Sequence, residues 1–249
     1  MLAIDCGNTR IKWARCGSAE RSETRYAEFG KPETLNALAD DLGHAVERVL
    51  VANVAGERVA AQVADIVADA AGIEAEFVQV SPAAHGITCG YREPRALGVD
   101  RWLAMVAVRQ TTAEPFIVIS AGTAVTIDVV DRNGAHLGGL ILPGDKLMID
   151  AIAANTGQIP VVARADEPVS GLGLLGRTTE DAVGRGTRLA VAAAIDRAIL
   201  SVNNTLGSAA KVIVTGGDRQ SVSNWLASSH SLQPDLVLEG LAVIGKELE

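Results

Sequence analysis

Short apolar runs with strand-like character are followed along this chain by stretches with helical apolar spacing. Residues 2–6 form an apolar run that meets a polar turn at 7–9 and leaves on a second apolar stretch, and residues 117–126 repeat the pattern. Both predict β-hairpins with small polar turns. Aligned without a gap, Gly7 falls on Gly122, an offset of 115 residues in a chain of 249. An offset near half the length predicts two similarly built lobes, 1–115 and 116–249, abutting without a low-complexity linker.

Helices are predicted at 35–46 and 59–71, and short strands at 49–52 and 76–80. Residues 100–111 read as a helix linking the halves, 138–144 as a strand bounded by turn residues, and 179–202 as the longest helix. Thr178 and Asp181 stand as a cap for that helix, although the neighbouring hydroxyls could instead face a ligand. A strand at 211–214 opens onto Thr215-Gly216-Gly217-Asp218, with helices at 221–228 and near Leu241. The alternation places the chain in the α/β class.

Composition narrows the ligands. Aromatics are 3% of the chain, so the core is aliphatic, and the net charge is -8. Such a surface repels phosphate backbones and anionic headgroups, and so few rings build no base-stacking platform, so neither nucleic acid nor a membrane is an expected partner. No apolar run approaches the ~18 residues of a membrane span, and no basic n-region opens the chain. Cys6, Cys16 and Cys89 form neither a disulfide framework nor a zinc motif, which fits a reducing cytoplasm. His44, His85, His136 and His230 lack ligand spacing and are expected at the surface or in loops. An anionic ligand must therefore be met locally, by backbone amides, a few cations or a metal.

The first turn offers such a place. Asp5 brings a carboxylate to a strand end, Gly7 lets amides approach an anion, and Asn8 and Thr9 are short hydrogen-bonding side chains. The set suits a phosphate tail with Mg²⁺, and Lys12 adds a point charge. Read alone, it is equally ordinary hairpin punctuation. The second copy at Gly122-Thr123-Ala124 favours the functional reading, since two turns facing across a cleft can clamp one polyphosphate. Gly216 and Gly217 allow a flat ring or ribose to lie on backbone, or simply turn the chain. Gly171 to Gly176 matches G-x-G-x-x-G, but no strand precedes it, so a dinucleotide site is not expected there. At Gly98-Val99-Asp100-Arg101, Asp100 is either the N-cap of the following helix or a base accepting a hydroxyl proton, with Arg101 binding a substrate anion. Tyr91 and Trp102, two of eight aromatics, lie close to this turn in sequence.

Together these segments resemble the type III pantothenate kinases, members of the acetate and sugar kinase, Hsp70 and actin superfamily. The resemblance rests on D-x-G-N-T-x-x-K at 5–12, Y-x-x-P-x-x-L-G-x-D-R at 91–101, G-T-A-x-T at 122–126, G-G-x-I-x-P-G at 138–144, T-x-x-A-x-x-x-G at 179–186 and T-G-G-D at 215–218. It implies two lobes of the actin-like, ribonuclease H-like ATPase type with an interlobe cleft. It also implies ATP-dependent phosphorylation of the pantothenate 4′-hydroxyl, the entry step of coenzyme A synthesis. On this likeness Asp5, Cys6, Gly7, Asn8, Thr9, Arg10, Ile11, Lys12 and Thr123 hold ATP, Asp5 meets Mg²⁺, and Gly216 and Gly217 lie on the adenosine side. Asp100 is the general base, and Tyr91, Gly98, Val99, Asp100, Arg101 and Thr179 line the pantothenate pocket. Family members are homodimers and often use K⁺ or NH₄⁺. One departure matters: Ser120 stands where similar members commonly carry the Asp that binds the monovalent cation, so the resemblance implies that this site is lost, with Asp128 the one candidate substitute. A regulatory protein of the same family and another small-molecule kinase of the superfamily are the alternative readings.

Overall fold

A computed structural model describes residues 1–17, 21–28, 33–43 and 46–246 of the chain. It divides into two compact units, Met1–Thr112 with Asp235–Glu249, and Ala113–Pro234. The sequence boundary at 115/116 had assigned everything after it to one lobe; the last helix instead belongs to the first unit. Residues 100–111 were likewise expected to link the halves, and the helix found there is the most buried element of the first unit.

In the first unit β1 (Leu2–Cys6), β2 (Arg10–Arg15) and β3 (Arg25–Glu28) are followed by α1 (Glu33–Leu42), β4 (Val49–Asn53), α2 (Glu57–Ala71) and β5 (Ala75–Phe77). The strands form one sheet in the order β3-β2-β1-β4-β5, with β1 antiparallel to β2 and parallel to β4. A small hairpin, β6 (Ala83–Ala84) and β7 (Ile87–Thr88), precedes α3 (Val99–Arg109). Strand alternation decides which side chains meet which helix. Leu2, Ile4 and Cys6 point into a core shared with Leu38, Leu42, Val59, Val63 and Val67 of α1 and α2. Helix α3 packs instead on α7 (Leu236–Lys246), which itself lies against β1 and β4. Gly240 lets the two helices close up, since a Cβ there would stand 2.3 Å from the Leu103 carbonyl oxygen.

The second unit contains β8 (Phe116–Ala121), β9 (Ala124–Val130), β10 (His136–Pro143), α4 (Asp145–Asn155), α5 (Thr179–Leu206), β11 (Lys211–Thr215), α6 (Arg219–Ser223) and β12 (Ser231–Leu232). Its sheet order, β10-β9-β8-β11-β12, repeats that of the first sheet strand for strand and sense for sense through the central three strands. Ile117, Ile119, Ala121 and Val125 pack against Val191, Ile195 and Ile199 of α5. The helix expected at 221–228 is shorter and begins earlier, because Gly216-Gly217-Asp218 turns directly into it. Helix α4 was not expected: its apolar residues carry little one-sided spacing, and only Asp145 and Ile149 are buried.

Two histidines depart from the sequence expectation or escape it. His136 opens β10 with its ring buried against Asp128, and His44 falls outside the described residues.

Candidate active site

Alternation along β1 turns Asp5 away from the α1/α2 core and toward the face covered by α3 and α7. Lys12 sits opposite Asp5 in the β1–β2 register and shares that face. The first turn of α3 carries Asp100, and Asp235 directly precedes α7. Three carboxylates and one ammonium group are thereby gathered within electrostatic reach at the carboxyl end of β1. Burial pushes the Asp5 carboxyl up to about 7; Lys12 opposes the rise, while Asp100 and Asp235 add to it. Lys12 bonds Asp235 rather than Asp5, with Nζ 3.0 Å from Oδ1.

The turn between the strands is closed by the Gly7 amide donating to the Arg10 carbonyl at 3.1 Å. Asn8 and Thr9 are exposed at its tip, and the Arg10 guanidinium lies over the Tyr26 ring. Cys6 and Ile11 are fully buried in the core, leaving only their main chain for a ligand.

At α3 the N-cap is Gly98 and not Asp100, a correction to the capping alternative. Asp100 lies inside the first turn, where its Oδ1 accepts from the Arg101 amide at 2.8 Å. A Cβ on residue 98 would stand 2.5 Å from that oxygen, so glycine there makes room for the carboxylate. The Arg101 guanidinium is buried, donates to the Tyr91 hydroxyl at 2.8 Å and lies over the Tyr91 ring. Tyr91 thus holds the cation that sequence reasoning had aimed at a substrate anion. Trp102 does not join them: it is 2% exposed and packs edge-on against His85 in the interior. Val99 is also buried.

The second hairpin is built differently. Its Gly122 amide donates to the Ala124 carbonyl at 3.1 Å, and Ala121 pairs with Val125, so its turn is one residue shorter than the first, where Cys6 pairs with Ile11. The gapless repeat therefore slips by one after the glycine. Thr123 is exposed, and its carbonyl accepts from the Gly144 amide at 2.9 Å. Gly144 is required there, because a Cβ would stand 2.4 Å from the Gly122 oxygen. Gly216 has a comparable cause: its φ is +96°, and a Cβ would meet the Ala121 oxygen at 2.2 Å. Close packing on β8 thus accounts for this glycine whether or not a ring lies on it.

Beside this turn is an ion network that sequence reasoning missed. Arg188 of α5 is fully buried, with Nη2 2.7 Å from Asp145 Oδ2. Arg164 reaches Asp218 at 2.9 Å and Asp145 at 3.9 Å. The one available signal was Gly144-Asp145 directly after the strand, a turn glycine followed by a first-turn acid. Ser120 lies in register with Thr126 on one side and Thr215 on the other, a row of hydroxyl residues on one face. Asp128, two residues along that face, is 2% exposed and bonded to His136 at 3.0 Å. Thr178 accepts from the Asp181 amide at 3.2 Å as a cap, and exposed Thr179 opens α5.

Asp235 was also missed, although Pro234-Asp235 before an apolar stretch is a recognisable helix start. Nothing in the spacing links residue 235 to residue 12.

A family model for type III pantothenate kinase matches residues 1–201. The type III pantothenate kinase of Nitrosococcus oceani is 35% identical over 255 aligned residues, which cover 99% of this chain and 94% of the relative. Among solved structures, a Campylobacter jejuni protein assigned to the Baf family of transcriptional activators superposes with a TM-score of 0.61 at 21% identity, covering 100% of this chain and 98% of that one. A Sinorhizobium meliloti protein described as a 2-dehydro-3-deoxygalactonokinase gives 0.61 at 15% identity, covering 99% and 98%. These two share the fold, which is that of the actin-like ATPases and sugar kinases. With the family model matching most of the chain and curated relatives aligned along nearly all of it, this chain belongs to the type III pantothenate kinase family.

Proposed function

We propose that this chain transfers the γ-phosphoryl group of ATP to the 4′-hydroxyl of pantothenate, with Asp100 as general base. The observation that carries the assignment is the convergence of Asp5, Lys12 and Asp100 at the end of β1, with Arg101 held by Tyr91 one residue beyond the base. Asp100 takes the hydroxyl proton, the oxygen attacks the γ-phosphorus, and the bond to the β–γ bridging oxygen breaks to release ADP. The amide of Arg101 fixes the orientation of the base. Tyr91, Gly98, Val99, Arg101 and Thr179 are assigned to the pantothenate pocket, with Arg101 the anchor for its carboxylate.

Asp5 to Lys12 and Thr123 are assigned to the ATP phosphates, and Gly216 and Gly217 to the adenosine side. Asp5 fits Mg²⁺ entering with ATP: a buried carboxyl held near 7 by burial and two neighbouring acids stands in a site short of positive charge. The ion supplies charge neutralisation at the phosphates. Lys12 and the turn amides supply the rest.

For the monovalent cation the residues do not fit well. Ser120, Thr126 and Thr215 offer neutral oxygens, and Asp128 is engaged with His136. Turnover in K⁺-free buffer is therefore expected to change less than about threefold when K⁺ or NH₄⁺ is added, since a hydroxyl replaces a charge-assisted contact; a steep rise would restore the site.

A homodimer is supported by an apolar face on the second unit. A groove of about 590 Å³ lies between β9, β10 and α5, lined by Ile127, Val129, Leu137, Leu140, Ala198 and Leu206. Leu137 and Leu140, which line it, are each more than half exposed. Strand β10 is a sheet edge, and an exposed apolar edge invites a partner. The free thiols of Cys6, Cys16 and Cys89 support a cytoplasmic setting. Among the described residues no helix is long and apolar enough to cross a membrane.

The test is a coupled assay of ADP release with and without pantothenate. Pantothenate-dependent release and 4′-phosphopantothenate as product are expected. Nucleotide binding without that dependence would defeat the assignment and favour the regulatory reading.

A further inference from the structure

Lys12 is placed beside Asp5 by the β1–β2 register, yet its ammonium group is taken by a residue 223 positions away. Asp235 holds it from the start of α7, and the bond is largely shielded, the two side chains being 16% and 14% exposed. The backbone of Asp235 is left-handed, with φ +62°, a conformation that aspartate tolerates better than most residues. Its carbonyl oxygen accepts from the Glu239 amide in α7, while its carboxylate is spent outside that helix. Oδ1 takes Lys12, and Oδ2 takes the Thr24 hydroxyl at 2.8 Å with Arg21 Nη1 3.7 Å away. Burial works against the Asp235 charge, but the Thr24 bond, Lys12 and Arg21 outweigh it and hold the carboxyl below its usual range.

We propose that Asp235 is a positioning residue for phosphoryl transfer: its carboxylate holds the Lys12 ammonium off Asp5 and oriented for the phosphates of ATP. The inference rests on the assignment of Lys12 to those phosphates. Without Asp235, the nearest acid across the register is Asp5 itself. A Lys12–Asp5 pair would occupy both the cation meant for phosphate and the carboxylate meant for Mg²⁺.

A purely structural role, tethering α7 to the strands, makes a different prediction, and a double-mutant cycle separates the two. MgATP affinity is measured by calorimetry, with KM and kcat alongside, for wild type, Asp235→Asn, Lys12→Met and the pair. Asp235→Asn is expected to weaken MgATP binding by about tenfold, the usual scale for a lost charge-assisted bond, while the KM for pantothenate moves less than about twofold. In the Lys12→Met background the same substitution should add almost nothing. Thr24→Val, which removes the other anchor, should lower Tm as Asp235→Asn does but leave MgATP affinity nearly unchanged. Asp235→Glu keeps the charge and should recover most of the affinity; if the Asn variant does not fold, Lys12→Met, which removes the cation that Asp235 holds, still has to weaken MgATP binding. Equal effects of Asp235→Asn in both backgrounds, or an Asp235→Asn or Lys12→Met protein of unchanged MgATP affinity, would overturn the proposal. Because nucleotide affinity needs no acceptor, failure of the pantothenate assignment would appear separately, in wild-type turnover.

Discussion

Asp5 and Lys12 in the first unit occupy the same places as Ser120 and Thr126 in the second. Each pair faces across the first two strands of a sheet of the same order, one residue before the strand end. In the first unit the pair is charged, joined by Asp100 and Asp235, and left imbalanced toward negative charge. In the second it is a neutral hydroxyl row. The charges there lie behind the turn, where Arg188 and Arg164 meet Asp145, Asp218 and Asp166, while Gly144 and Gly216 bring backbone against backbone. One topology has thus been given two kinds of hairpin. A charged cluster at the strand end is poised to meet an added cation and a proton to be moved; a turn packed on glycines offers shape and amides and keeps its charges behind it.

The largest test of that contrast falls on the second unit. Arg188→Met strips the cation from buried Asp145, and breaking a buried pair on one side costs about 3–5 kcal/mol. Denaturant unfolding should show that loss, and adding Asp145→Asn should recover part of it; an Arg188→Met protein of unchanged stability would mean that the buried pair does not hold the second unit together. In the first unit the expected loss is in chemistry instead. Asp100→Asn should lower kcat by ~10²-fold or more with little change in Tm, because general-base work has that size. A near-wild-type kcat in the variant would remove Asp100 from the mechanism.

Gly144→Ala probes shape. Its Cβ would drive into the Gly122 carbonyl oxygen, and overpacking of that kind costs about 1–3 kcal/mol. The effect on MgATP affinity should exceed that of a surface alanine of equal stability, since the displaced atoms are the turn itself. The last test is read from pH. The Asp5 carboxyl rises from 3.8 to about 7 on folding, so between those values the folded chain binds the proton more tightly. Its contribution to stability is therefore fully present below the unfolded value and is lost as pH rises through about 7. In metal-free buffer Asp5→Asn should match wild type near the lower value and gain on it steadily in Tm as pH rises toward the upper one. A difference that does not grow with pH would deny Asp5 its buried, acid-crowded setting.

Much of this arrangement was readable along the chain because it is local. The two hairpins, the strands at 49–52 and 211–214 and the long helix α5 with its Thr178 cap each depend on neighbours a few residues apart. The signal failed where neighbours are distant. Helix α4 has too little one-sided apolar character to stand out, and Trp102, conspicuous among so few aromatics, proved to be core. The placement of α7 in the first unit depends on α3, more than a hundred residues earlier in the chain, and on the close approach that Gly240 allows between them. Within the site, Asp5, Gly98, Asp100 and Lys12 could be named from their types and spacing. Asp235, Arg188 and the role of Tyr91 toward Arg101 could not.

By itself, the sequence determined the strands, their turns, the chemical inventory of the site and the family likeness, because hydrophobic period and turn chemistry act over a few residues. Only the tertiary structure decided how those charges are shared. Strand alternation turned Asp5 toward α3 and α7, and the packing of those helices delivered Asp100 and Asp235 from distant stretches of chain. Lys12 was thereby given to Asp235 instead of its neighbour across the strand, since an ion pair forms between groups that packing brings within about 3 Å, whatever their separation in sequence.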